Sequence, residues 1–189
     1  QFGSSSGSAS STDGINFTQN GSGYSASADL FDCISVSGTG AGSGTIKIDY
    51  NSFGGIKTNG SANNGEIGII QLFNIDSSFV RNNTIGNATA QNLDCETQVA
   101  WKGIDHSDFD ASSYTFIADN TIQNLFLDFT NTSETLESVG IACYDEGEVF
   151  VQSNTIGNSN VNNIRLNGRD EFEGIGISNS GTFTVVTNT

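Results

Sequence analysis

Apolar and polar positions alternate in short runs along this chain, and the runs recur. Asn83-Thr84-Ile85-Gly86-Asn87 returns as Asn120-Thr121-Ile122-Gln123-Asn124 and as Asn154-Thr155-Ile156-Gly157-Asn158. Asn188-Thr189 begins a further copy, and degenerate copies lie upstream at Asn51-Ser52-Phe53 and Asn20-Gly21-Ser22. The leading asparagines at 20, 51, 83, 120, 154 and 188 are spaced by 31, 32, 37, 34 and 34 residues. A period in this range marks a repeated supersecondary unit. Three residues before each asparagine stands Phe17, Ile48, Val80, Ile117, Val151 or Val185. Five before stands Ile15, Ile46, Ser78, Thr115, Val149 or Phe183. A step of two places both positions on one face of a strand, toward a core. The position between them holds Asn16, Lys47, Phe79, Phe116, Phe150 or Thr184, and its polar members assign it to the outer face.

A second strand precedes the first in the later copies, beginning at Gly68-Ile69, Gly103-Ile104, Gly140-Ile141 and Gly174-Ile175. Between each Asn-Thr-Ile and the next Gly-Ile runs a polar stretch of variable length, as from Asn158 to Glu173, which reads as a loop on one side of a stack. One such element cannot bury its own apolar strip, whereas stacked copies can, with equivalent residues about 4.8 Å apart. The asparagine suits the turn because it tolerates the left-handed conformation. Stacked asparagines can also hydrogen-bond from coil to coil. Thr and Ile after it favour a new strand.

These residues resemble a known family. The Gly-Ile strand, the Phe-x-x-x-Asn-Thr-Ile turn and the variable loop look like the repeat of the pectin-lyase-like superfamily. More narrowly, they look like the repeats of large secreted bacterial surface proteins, over residues 15–189. The resemblance implies an all-β fold, a right-handed parallel β-helix of about five coils of 31–37 residues. It implies no single activity, since the superfamily spans polysaccharide lyases and hydrolases, tailspikes and adhesins. The Asn-Thr-Asp, Asp-Asp and Gly-His-Gly motifs of its polygalacturonase-like members are absent here. Arg81, Arg165 and Arg169 stand in no recognisable lyase motif.

Charge narrows the function classes. A net charge of -15, from 21 acidic against 6 basic residues, argues against a nucleic-acid partner, whose phosphates need many Lys and Arg. No apolar run is long enough to insert in a membrane as a helix. Three scattered cysteines, Cys33, Cys95 and Cys143, make no disulfide framework, and a single histidine removes most zinc and Ser-His-Asp arrangements. Residues 1–12 are Ser/Gly-rich and read as a flexible start or linker, with the β-helix over 13–189. The last copy stops before its Ile without a visible cap, so further repeats or end-to-end copies of the protein are the expected partners.

Two clusters carry candidate chemistry. Aligned on Gly-Ile, Asp105-His106-Ser107-Asp108 lies beside Ala142-Cys143-Tyr144-Asp145, which stacks Asp108 on Asp145. Three readings are open: a solvated acidic turn, a calcium site at Asp108 and Asp145, or a catalytic carboxylate set of Asp105, Asp108 and Asp145. His106 and Cys143 read as core residues, and Cys95, in a loop, as the more exposed thiol. The column Phe79, Phe116, Phe150 is the second cluster. It reads as covered by the chain's own Leu125-Phe126-Leu127 or Trp101, or as a binding surface for another chain or for sugar rings. Asn16-Phe17-Thr18, Asn82-Asn83-Thr84 and Asn87-Ala88-Thr89 match the glycosylation pattern, as an Asn/Thr-rich repeat does by chance. The expectation is therefore an extracellular or cell-surface stalk, adhesin or fibre subunit without catalytic activity. Calcium is the one cofactor considered and carbohydrate the one ligand. The alternative is a polysaccharide lyase or glycoside hydrolase using the acidic cluster.

Overall fold

A computed structural model describes residues 15–19, 29–38, 44–60, 66–86, 93–96, 99–129, 137–158, 163–168, 171–178 and 181–189. The side chains of 15–19, 29–31, 59–60, 129 and 168 are not described. The first turn consists of β1 (Ile15–Gln19), β2 (Asp29–Ser37), β3 (Thr45–Asp49) and β4 (Ser52–Phe53). Next come β5 (Ile56–Gly60), β6 (Glu66–Phe73), β7 (Ser77–Arg81) and β8 (Thr84–Ile85). Then follow β9 (Leu93–Cys95), β10 (Ala100–Asp108), β11 (Tyr114–Ala118) and β12 (Thr121–Ile122). The fourth turn is β13 (Leu125–Phe129), β14 (Glu137–Asp145), β15 (Glu148–Gln152) and β16 (Thr155–Ile156), and the chain ends on β17 (Ile164–Gly168), β18 (Glu171–Ser178) and β19 (Thr182–Val186).

Every strand pairs in parallel with its counterpart one turn away, giving an all-β parallel solenoid. The sheets run β1-β5-β9-β13-β17, β2-β6-β10-β14-β18, β3-β7-β11-β15-β19 and β4-β8-β12-β16. About three turns are covered on both faces, namely β5–β8, β9–β12 and β13–β16. Asn188 and Thr189 lie across the last of these through the bonds Ile156 N–H to Thr189 O and Thr189 N–H to Asn154 O. The count falls short of the five coils expected because the outermost strands are rims with a neighbour on one side only.

The inward columns form as the alternation predicts. Ile48, Val80, Ile117 and Val151 are buried in register, as are Phe53, Ile85 and Ile122. Two members depart. Val185 holds its register but is 46% exposed, because no further turn covers β19. Phe17 belongs to a different column, since β1 pairs with β5 and sets Phe17 beside Thr58. The Asn20 copy therefore follows a different sheet from the other asparagines, and Asn20 itself lies outside the described residues, as does 1–12. Ile156 is half-buried, at the same rim.

The asparagine ladder is present. Nδ2 of Asn51, Asn83, Asn120 and Asn154 donates to Oδ1 of the next asparagine at 3.1, 3.0, 2.9 and 3.1 Å. The backbone N–H of each donates to the same oxygen at 2.9–3.0 Å. The left-handed residue, however, is the one before. Tyr50, Asn82, Asp119, Ser153 and Thr187 have φ of 60°, 54°, 57°, 55° and 54°. The reason is directional: the corner residue points outward, which leaves the asparagine free to turn its amide inward along the stack. A second corner follows the two-residue strands at Gly55, Gly86, Asn124 and Gly157, all with positive φ. At Gly86 a Cβ would fall 1.7 Å from the Gln123 carbonyl oxygen, so only glycine fits.

Two further expectations change. The variable stretch read as a loop contains a whole sheet, β1-β5-β9-β13-β17, whose Ile56, Leu93, Leu125 and Leu127 are core residues. In the second strand, Gly68-Ile69 is one residue out of register: Ile70, not Ile69, pairs with Ile104 and Ile34. Ile104, Ile141 and Ile175 do align.

Candidate functional site

Polar chemistry gathers at the corner where the sheet of β10 meets the sheet of β11. The register sets Asp108 beside Asp145 and His106 beside Cys143, as the sequence alignment predicts. Both acids are buried, at 1% and 0% exposed, so the reading as a solvated turn is wrong. His106 and Asp108 in β10, and Cys143 and Asp145 in β14, stand at alternate positions and are all buried.

His106 organises this interior cluster. Its Nδ1 lies 2.8 and 3.1 Å from the two carboxylate oxygens of Asp145, and its Nε2 lies 2.9 Å from Ser78 Oγ. A carboxylate only accepts, so Nδ1 carries a proton toward Asp145, while Nε2 and the Ser78 hydroxyl share the second hydrogen bond. Thr115 Oγ1 stands 3.3 Å from the same nitrogen. The connection Asp–His–Ser is that of an acyl-transfer relay. Ser78, His106 and Asp145 are each 0% exposed, which closes the relay to any substrate. Its evident work is to satisfy polar groups that would otherwise be costly in a dry core. The sequence could have suggested Ser78 and Thr115, which stand as hydroxyls in an otherwise apolar inward column.

Asp108 is the member left incompletely hydrogen-bonded. Oδ1 accepts the Asp110 N–H at 2.8 Å, while Oδ2 is buried with no hydrogen-bond partner. Burial raises its pKa, and the Asp145 and Asp110 charges add to the rise against the Asp110 N–H and His106, which oppose it. Asp105 does not join Asp108 and Asp145. Its Oδ2 meets Lys102 Nζ at 2.8 Å, and Lys102 also reaches Glu66 at 2.9 Å and lies over the Tyr144 ring at 5.4 Å. Among the described residues no three His, Cys, Asp or Glu side chains are grouped to hold a metal ion.

The cysteines are unpaired, Cys33 half-buried and the other two buried. Cys95 is not the exposed thiol expected, because it stands in β9 against the core. Burial pushes the Cys95 and Cys33 thiols up to about 12 and Cys143 well above its ordinary value, which leaves all three poor nucleophiles.

Phe79, Phe116 and Phe150 do form an outward column, half-buried and in register, with adjacent ring centroids 6.4 Å apart. Their companion is Tyr114, 5.8 Å from Phe79 and 5.5 Å from Phe150. The expected cover is wrong: Trp101, Leu125 and Leu127 are buried in the core, and Phe126 lies under the Arg165 guanidinium, 4.5 Å from its ring centroid. Lys47 and Arg81 lie 5.9 and 5.6 Å from the Phe79 ring centroid, at one end of the stripe. Arg81 is also paired with Asp49, its Nε 3.0 Å from Oδ1. Of the glycosylation patterns, Asn82 is exposed at its corner, Asn16 lies in β1 without a described side chain, and Asn87 lies outside the described residues.

No helix among the described residues is long and apolar enough to cross a membrane, which says nothing of strands. No family model matches the chain, and no curated protein and no solved structure matches it.

Proposed function

We propose that the chain is a structural or adhesive β-solenoid of the pectin-lyase-like kind, working outside the cell or at its surface as a stalk, adhesin or fibre subunit without catalysis. The observation that carries this reading is where the chemistry sits. The histidine, its carboxylate and its serine are sealed in the core, and the thiols are deactivated by burial. What faces outward is a four-ring aromatic stripe on a regular scaffold. Stacked rings with a cation at one end suit the flat apolar faces of sugars, and Lys47 and Arg81 suit an acidic substituent. A structural calcium ion shared by Asp108 and Asp145 is the alternative use of that pair. The alternative, a lyase or hydrolase using Asp105, Asp108 and Asp145, has against it that these acids do not converge on one outer face.

Binding of neutral and acidic oligosaccharides to the purified chain tests the reading, together with assays for reducing ends and unsaturated uronides. Phe116→Ala is expected to weaken glycan binding about fivefold to tenfold, the scale of roughly 1 kcal/mol for one aromatic contact. Silence across all glycans removes the adhesive role, and product release removes the non-catalytic one.

A further inference from the structure

We infer that Lys57 and Asp94 condense into an intramolecular amide bond, with Glu96 passing the proton, and so tie β5 covalently to β9. The inference goes beyond the structural reading above and is independent of what the outer face binds.

Strand register places the reacting groups. Lys57 pairs with Asp94 across β5 and β9, with Ile56 beside Leu93 and Thr58 beside Cys95. Ile56, Leu93, Thr58 and Cys95 are buried, so Lys57 and Asp94 leave the sheet side by side on its other face. Lys57 Nζ lies 2.9 Å from Asp94 Oδ2 and 2.7 Å from Glu96 Oε1. Asp94 is only 8% exposed, and Phe126 stands next to it in the column. Its Oδ1 is buried and finds no hydrogen-bond partner. In a carboxylate that oxygen shares a negative charge, which is costly to bury unsatisfied. As the carbonyl oxygen of an amide it is uncharged, and the cost falls.

An amine and a carboxyl condense as the neutral pair. A proton first moves from Lys57 Nζ to Asp94. Burial favours that transfer by raising the Asp94 pKa, against the hydrogen bond and charge of Lys57, which lower it. The free amine then attacks Asp94 Cγ. The N–C bond forms, Glu96 takes a second Nζ proton and hands it to the departing oxygen, and one C–O bond breaks. An ammonium and a carboxylate become an amide and one water, and Glu96 ends as it began. No oxidant or cofactor enters. In open water such a pair stays ionised, whereas strand pairing holds it at the effective concentration of an intramolecular reaction. One effect opposes closure. Burial lowers the Lys57 pKa, but its bonds to Glu96 and Asp94 raise it by more, so the free amine is the minority form.

Lys102 supplies the contrast. It also meets an aspartate and a glutamate, Asp105 at 2.8 Å and Glu66 at 2.9 Å. There the Tyr144 ring, 5.4 Å away, favours the charged lysine, and Asp105 lies three residues along the same strand. One bond is therefore assigned, and not two.

Intact-mass spectrometry of the folded 189-residue chain, followed by tryptic mapping, tests the proposal. The expected mass is that of the sequence less one water. Trypsin does not cut after an acylated lysine, so residues 48–81 should remain linked to 82–102. Tandem spectra should place the link between Lys57 and Asp94, which distinguishes it from an aspartate cyclised within one peptide. Lys57→Arg, which keeps the ion pair, should restore the full mass, and Glu96→Gln should lower the linked fraction severalfold. A parent of full mass that releases 48–57 and 58–81 as separate peptides overturns the inference. So does a loss of water that survives Lys57→Arg.

Discussion

Asp108 shows how one ionisable residue sets the pH response of a core. Its folded pKa is raised, so the folded state holds the proton longer than the unfolded chain does. As pH rises past the ordinary carboxyl range, the unfolded state ionises first, and stability falls until the folded pKa is passed. Asp108→Asn removes that loss and gives the orphaned position an N–H pair beside the Asp145 carboxylate. Thermal melts should show the variant more stable than the parent at neutral pH by about 1 kcal/mol, the scale for one buried unsatisfied acceptor, with the gain shrinking toward acid pH. A calcium ion shared with Asp145 gives the opposite sign: chelator would then lower the melting temperature of the parent and not of Asp108→Asn.

At the scale of elements, the ladder is the most consequential feature. Asn120 receives two hydrogen bonds from Asn83 and gives two, to Val80 O and Asn154 Oδ1. Asn120→Ala takes the buried acceptor from the Asn83 N–H and the side-chain donor from Val80 O, and should lower unfolding free energy by about 2–4 kcal/mol in urea titrations, while Asn188→Ala at the rim should cost less than half as much. The ladder and the inward strand of β7, β11 and β15 were legible because one residue type recurs at a near-fixed period with alternation before it. The sheet of β5, β9, β13 and β17 was not. Its strands begin five residues after the ladder asparagine at Ile56 and Leu125 but ten after it at Leu93 and Ile164, so no constant offset marks them. Tyr50, Asn82, Asp119, Ser153 and Thr187 share a backbone conformation but no chemistry, which hid the corner. Stacking of Asp108 on Asp145 could be read from register. Contact of His106 with Ser78 could not, because β7 and β10 belong to different sheets and touch only across the interior.

Across the whole molecule, strand pairing links each turn only to its neighbours, so stability should grade along the axis. Hydrogen exchange should be slowest at the amides of β10, β11 and β14 and fastest at β19, where Val185 and Val186 are exposed. Uniform protection from one end to the other would contradict a stack held by nearest-neighbour contacts. The joints between β1 and β2, β5 and β6, β9 and β10, β13 and β14, and β17 and β18 span nine, five, four, seven and two residues. Yet the strands on either side keep their pairing, so the coil geometry is indifferent to how much chain is inserted at this corner. That corner is a natural splice point: one edge of the rod can acquire or shed whole peptides, and so change what it displays, while the scaffold beneath is left as it was.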